Sequence, residues 1–260
     1  MILAIDCGNT NTVFAVFTDG GERLGDWRSS TDHNRTADEF GLWLMQLMRL
    51  ANIDPESIRG AIVATVVPAT LFNLKTMCRK YFNCDPLIVG EAGVDLGIKI
   101  KVDHPEEVGA DRLVNAVAAR ESYKGPMIVI DFGTATTFDV IDGDGNYCGG
   151  VIAPGVNLSA EALHMAAAKL PRVAIGRPDK VIGTNTVTAM KSGIYWGYVA
   201  MVEGLIERIR KEHQKPMDVI ATGGLAPLFT DATDCIKHAD LDLTLRGLLS
   251  IYRRNAKTGR

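Results

Sequence analysis

The sequence predicts an α/β protein built as two similar lobes around a central cleft. The segment Ile5-Asp6-Cys7-Gly8-Asn9-Thr10-Asn11-Thr12 returns as Ile130-Asp131-Phe132-Gly133-Thr134-Ala135-Thr136-Thr137. The same offset pairs Asp19-Gly20 with Asp144-Gly145 and Gly25 with Gly150. Each copy is a short apolar run, an Asp-x-Gly turn with threonine close behind, and a second apolar run. Runs of this length between turn signals read as strands. A chain that repeats the turn in each half is expected to hold a ligand with several phosphates between its lobes.

The elements follow in order. Strands are expected at about 2–8, 12–18 and 22–30, the last ending at Arg28-Ser29-Ser30-Thr31. A helix near 36–51 carries Phe40, Trp43, Leu44, Leu47 and Leu50 at helical spacing, which reads as a core face and makes Trp43 a packing residue. Residues 60–67 form a buried strand, and Pro68 suits the first turn of a following helix. Broken strands run to about 102, and a helix over 107–123 closes the half. In the second half, strands are expected at 126–131, 136–142 and 146–153, with Asp142-Gly143-Asp144-Gly145-Asn146 as a hairpin turn. Helices cover about 157–168, 186–213 (capped by Asn185 or Thr184) and 242–255, with a strand at 217–221 running into Thr222-Gly223-Gly224. The lobes divide as 1–123 and 124–260, the final helix being a candidate to fold back on the first lobe.

The turn has a chemical logic. Gly8 and Gly133 permit a sharp bend and close approach of a ligand to the main chain. Thr10 and Thr134 offer hydroxyl and N–H donors to phosphate oxygens. Asp6 and Asp131 repel phosphate directly, but can hold a cation or its waters against it. A single copy would favour a plain hairpin with an Asx-type turn; two copies at matched spacing favour a nucleotide site.

Composition narrows the classes. With 260 residues, 47% hydrophobic and 23% charged, the chain is long enough for a sizeable core. A formal net charge of -3 gives no general pull towards nucleic acid or anionic membrane. Arg246, Arg253, Arg254, Lys257 and Arg260 gather at the tail and read as a solvated helix end. Five cysteines without a Cys-x-x-Cys pair fit a reducing cytoplasm, and no apolar run is long enough to span a bilayer. The five scattered histidines carry no zinc motif. Neither a P-loop nor a properly spaced Gly-x-Gly-x-x-Gly is present.

Gly109-Ala110-Asp111-Arg112 opens a helix. Two readings of it stand side by side. Asp111 and Arg112 are a charge pair favoured by the helix dipole, or Asp111 is a general base and Arg112 a planar fork for an anionic substrate. The paired glycines Gly223-Gly224 allow a flat ligand against the backbone, or simply break the strand.

In order and spacing, Asp6-x-Gly-Asn-Thr10, Gly109-Ala-Asp-Arg112, Asp131-Phe-Gly-Thr134, Gly149-Gly150 with Pro154-Gly155, Asn185-Thr186 and Thr222-Gly-Gly224 together resemble the type III pantothenate kinases. That resemblance implies a duplicated ribonuclease-H-like (actin-like ATPase) fold and ATP-dependent phosphorylation of pantothenate, the first step towards coenzyme A. It implies that Asp6, Cys7, Gly8, Asn9, Thr10, Asn11, Thr12 and Val13 form the first phosphate loop, with Asp6 near magnesium. Asp111 becomes the catalytic base, with Gly109, Ala110, Arg112 and Thr186 at the pantothenate site. Asp131 holds a monovalent cation, potassium or ammonium; Thr134 contacts ATP phosphates; Gly223 and Gly224 lie by the adenosine. A homodimer is implied as well. Many relatives read Tyr-Asp-Asn-Pro where this chain has Val102-Asp103-His104-Pro105, which removes a phenol contact to substrate. The rival readings are another small-molecule kinase of that superfamily, or a nucleotide-sensing accessory protein linked to transcription.

Overall fold

The computed structural model describes residues 1–167 and 169–258, with side chains described to 256. The chain divides into two compact units, one of Met1–Ser122 with Asp242–Arg260 and one of Tyr123–Leu241. The last helix therefore groups with the first unit, and the boundary falls between Ser122 and Tyr123.

The first unit holds β1 (Ile2–Cys7), β2 (Asn11–Phe17), β3 (Arg23–Ser30), β4 (Gly60–Thr65) and β5 (Pro86–Ile88). Its helices are α1 (Ala37–Leu50), α2 (Pro68–Phe82), α3 (Ala110–Ser122) and α7 (Leu243–Thr258). The strand order is β3-β2-β1-β4-β5. The three N-terminal strands form antiparallel hairpins, while β4 and β5 run parallel to β1. Such parallel neighbours require crossover connections, which α1 and α2 supply. The helix expected to start at Pro68 is α2, and of the broken strands expected after it to about 102 only the short β5 is present among the described residues.

Both faces of this sheet are covered. Phe40, Leu44 and Met48 of α1 and Leu74, Met77 and Phe82 of α2 pack on Leu3, Ile5, Phe14 and Val63. On the other face Val114 and Val117 of α3, with Leu248 and Ile251 of α7, meet Ala4, Phe17 and Ile62. A side chain at Gly247 would meet the Val114 carbonyl at 2.3 Å, so glycine permits the close approach of α7 to α3. Thr36 caps α1 in a reciprocal capping box with Glu39. Leu50, read as part of the core face, is 74% exposed. It lies two residues past Met48, roughly 200° around the helix, so the true stripe is Phe40, Leu44 and Met48. Trp43 packs edge-on against Phe14, as a core-side residue.

The second unit repeats the plan with β6 (Met127–Phe132), β7 (Ala135–Ile141), β8 (Tyr147–Pro154), β9 (Asp218–Thr222) and β10 (His238–Ala239). Read from β8, the order β8-β7-β6-β9-β10 matches β3-β2-β1-β4-β5. Its helices are α4 (Val156–Ala166), α5 (Thr186–His213) and α6 (Ala226–Thr230). Tyr195, Tyr198 and Val202 of α5 and Phe229 of α6 cover Ile128, Ile130, Phe132 and Val219. Asn185 is the N-cap of α5, bonding the Thr188 N–H at 2.9 Å.

The register corrects the single offset read from the sequence. β1 and β6 differ by 125 residues, but β2/β7 and β3/β8 differ by 124. Cys7 pairs with Thr12, whereas Phe132 pairs with Thr136. The second turn is one residue shorter, so Thr10 corresponds to Thr134 and buried Thr12 to buried Thr136. Beyond the turn, Gly21 (φ 97°) corresponds to Gly145 (φ 80°), each donating its N–H three residues back, to Thr18 and Asp142. The Asp-Gly and Gly25/Gly150 pairs of the sequence therefore miss by one position.

Candidate active site

In the first unit, Asp6 ends β1 beside Ala64 of β4, and the chain turns through Gly8–Asn11 into β2. The Gly8 N–H bonds the Asn11 carbonyl at 3.0 Å, closing the turn. Asn9 and Thr10 are exposed at its tip, and Asp6, Gly8, Asn11 and Val13 are half-buried. Cys7 and Thr12 point the other way. The Thr12 hydroxyl donates to Cys7 Sγ at 3.3 Å, and Cys7 Sγ lies 3.2 Å from the Thr70 hydroxyl. What these two can offer a nucleotide is main chain.

Asp111 and Arg112 stand in the first turn of α3. The Arg112 N–H donates to Asp111 Oδ1 at 2.8 Å. A side chain at Gly109 would come within 2.6 Å of that same oxygen, so glycine leaves room for the carboxylate to fold back. Burial raises the Asp111 pKa above the ordinary aspartate value, and the bond from Arg112 and its positive charge oppose the shift. A carboxylate so raised is, when ionised, a stronger base.

Val66 connects this loop to the turn. Its N–H bonds the Cys7 carbonyl at 3.1 Å, and its Cγ1 lies 3.5 Å from where a Gly109 side chain would begin. Through Val66 the loop that carries Asp111 neighbours the turn at the carboxyl ends of β1 and β4, the edge where open α/β sheets bind ligands.

The second unit builds a parallel arrangement. Asp131 ends β6 opposite Thr222 of β9, and Gly133 and Thr134 are exposed in the turn. A Cβ at Gly223, whose φ is +89°, would lie 2.5 Å from Asp131 Oδ1. One at Gly133 would lie 3.5 Å from it. Two glycines thus keep space around this carboxylate that side chains would fill. Gly224 has open space around it. Thr186, the first residue of α5, is exposed.

The loop at the departure from the relatives' pattern holds half-buried Val102 and exposed His104, 3.5 Å from Glu106. Two residues contact the turns directly, Thr31, to which sequence reasoning gave no role, and Gly155, which it named only within the Pro154-Gly155 motif. The Thr31 hydroxyl donates to the Gly8 carbonyl at 2.7 Å, and Gly155 packs against the carbonyls of Gly133 and Thr134. The 124-residue offset between Thr31 and Gly155 was the signal, hidden by the one-residue difference in turn length. Of the basic tail, Arg246 bonds Ser122 at 3.1 Å and Arg254 lies 3.5 Å from Asp95, both within their own unit, while the side chains of Lys257 and Arg260 lie outside the described residues.

Two matched five-stranded sheets, each with an Asp-x-Gly turn at the end of its first strand, define a duplicated ribonuclease-H-like protein of the actin-like ATPase and sugar kinase class. Solved structures agree at the level of fold. A conserved Baf family protein from Campylobacter jejuni superposes with a TM-score of 0.61 at 18% identity, over 98% of this chain and 99% of its own. The activator of the 2-hydroxyisocaproyl-CoA dehydratase from Clostridium difficile does so with 0.58 at 12% identity, over 99% and 96%. The family model of type III pantothenate kinase matches residues 2–208. The type III pantothenate kinase of Paramagnetospirillum magneticum is 66% identical over 256 residues, 98% of each chain. That of Rhodospirillum rubrum is 66% identical over 98% of this chain and 99% of its own. The chain belongs to the type III pantothenate kinase family.

Proposed function

We infer that this protein transfers the γ-phosphoryl group of ATP to pantothenate, the first step of coenzyme A biosynthesis. The observation that carries the reading is the juxtaposition of a base-strengthened Asp111 with the Asp6 turn, in a chain of this family. Asp111 accepts the proton of the primary hydroxyl of pantothenate. The freed oxygen attacks the γ-phosphorus in line, its bond to the β,γ-bridging oxygen breaks, and ADP leaves. Arg112 presents its planar guanidinium to the pantothenate carboxylate. Ala110 and Gly109 shape the floor beside it, and Thr186 is a further pantothenate contact.

Main-chain donors at the tip of the first turn, beyond the Gly8 N–H that Asn11 holds, take the ATP phosphates with the Thr10 and Thr134 hydroxyls. Gly223 and Gly224 lie against the adenosine. The donor types suit cations: Asp6 supplies hard carboxylate oxygens suited to magnesium through water, and Asp131, beside which Gly223 leaves room, is the carboxylate for potassium or ammonium. Bound there, such cations neutralise phosphate charge; the chain's own contribution is to hold the phosphates and the hydroxyl in line. A homodimer in the cytoplasm completes the reading. Exposed Ile152, Leu158, Met165 and Ile182 on the second unit offer apolar surface for a second copy to cover. Among the described residues no helix is long and apolar enough to cross a membrane.

The test is ADP release from magnesium-ATP with and without pantothenate, in potassium and in sodium buffer, for the wild type and Asp131→Ala. Pantothenate-dependent release is expected, stimulated by potassium in the wild type and indifferent to it in the variant. Release indifferent to pantothenate would point to another acceptor; a potassium response that survives in Asp131→Ala would move the cation elsewhere.

A further inference from the structure

The two turns are braced at equivalent positions by different chemistry. Thr31 follows β3 and Gly155 follows β8, and the 124-residue offset makes them counterparts. Thr31 fixes two peptide planes: its hydroxyl donates to the Gly8 carbonyl at 2.7 Å, and its N–H to the Thr10 carbonyl at 2.9 Å. The same hydroxyl lies 2.9 Å from that of buried Thr12, whose own bond to Cys7 continues into the core. In a trans peptide the C=O and N–H point in opposite directions. Drawing the Gly8 carbonyl inward therefore turns the Asn9 N–H outward, at the exposed tip of the turn.

In the second unit the corresponding carbonyls are those of Gly133 and Thr134. Gly155 reaches them with no side chain at all: a Cβ there would sit 2.1 Å from the Thr134 oxygen and 2.8 Å from the Gly133 oxygen. Its φ of -66° is open to any residue, so space and not backbone strain demands glycine. Tyr198 secures this end of β8, its hydroxyl donating to the Pro154 carbonyl at 3.1 Å.

We propose that Thr31 and Gly155 are the positioning residues of the two phosphate turns, Thr31 by a hydroxyl bond that aims the first turn's peptides and Gly155 by backbone contact that seats the second. This rests on the reading that the turns take the phosphates of ATP. Thr31 touches neither substrate nor reacting atoms; it acts through the Gly8–Asn9 and Thr10–Asn11 peptides.

The experiment compares wild type, Thr31→Val, Thr31→Ser and Gly155→Ala by steady-state kinetics in both substrates. Thr31→Val keeps the shape and removes the hydroxyl, and is expected to raise the KM for ATP about five- to tenfold, the weight of one aligned hydrogen bond. The KM for pantothenate should stay within about twofold, since binding of that substrate is not what the hydroxyl serves. Thr31→Ser should restore the ATP value. Gly155→Ala should raise the KM for ATP as well. A wild-type KM for ATP in Thr31→Val, equal impairment in Val and Ser, or equal rises in both KM values would overturn the role of Thr31. A wild-type value in Gly155→Ala would overturn the role of Gly155. Stabilisation of each protein by magnesium-ATP in a thermal melt gives a readout that needs no turnover. If the wild type releases no pantothenate-dependent ADP, the functional reading fails; loss of ATP stabilisation in Thr31→Val alone would still support the brace, and its retention would refute it.

Discussion

Asp111 shows how one residue carries two opposed demands. Burial at the start of α3 raises its pKa, which strengthens the base and burdens the fold. A carboxylate whose folded pKa lies above its unfolded one adds stability below the unfolded value and loses it as pH rises through the folded value. Ionising Asp111 is therefore a net cost to the fold. Thermal melts at pH 7 should show Asp111→Asn at least as stable as the wild type; a clear fall in Tm would contradict the burial argument. The pH profile of kcat/KM, which reports the free enzyme, carries the same sign: its acid limb should lie above the ordinary aspartate pKa of about 3.9. The chemistry of Asp111 was half legible in the sequence. Its place in a first helical turn could be read, with helix-dipole partner and base standing even; that Gly109 makes room for the carboxylate and Val66 joins its loop to the turn could not be read, and it is what supports the proposal of a base.

Among elements, the hairpins and long helices were legible because their signals are local. The helix expected at about 186–213 runs Thr186–His213; of the two cap candidates Asn185 is the N-cap, in a capping box with Thr188, and a left-handed Gln214 ends the helix. Replacing Asn185 by alanine should cost about 1 kcal/mol in a denaturant titration, as cap removals do; an unchanged midpoint would show that the cap carries no weight. What was not legible was register. A 125-residue offset fits β1 and β6, and a one-residue difference inside the turn shifts everything after it. Composition hardly registers such a difference, yet it decides that Gly21 rather than Gly20 matches Gly145, and it concealed the pairing of Thr31 with Gly155. Leu50 failed for a similar reason: apolar identity suggested a core face, and helical geometry turned it outward.

At the scale of the molecule, the chain closes its first unit with its own last helix. Leu243, Leu248 and Ile251 of α7 are fully buried, and each such side chain contributes roughly 1.5–3 kcal/mol, against a typical total stability of about 5–15 kcal/mol. A chain ending at Leu241 should therefore expose the α3 face of the first sheet and lose protection there in hydrogen exchange. A truncated chain with native protection over β1 and β4 would contradict that role. Sequence could mark 242–255 as a helix but not choose its unit, because the contacts that decide it span more than a hundred residues. The account as a whole rests on phosphoryl transfer to pantothenate with Asp111 as the base. Its most direct test is single-turnover transfer of label from γ-phosphate-labelled ATP to pantothenate, in wild type and Asp111→Asn. The prediction is labelled phosphopantothenate from the wild type, and a rate about 10²–10⁴-fold lower in the variant with ATP affinity nearly intact. Label transferred at the wild-type rate by Asp111→Asn, or no label on pantothenate from the wild type, would contradict it.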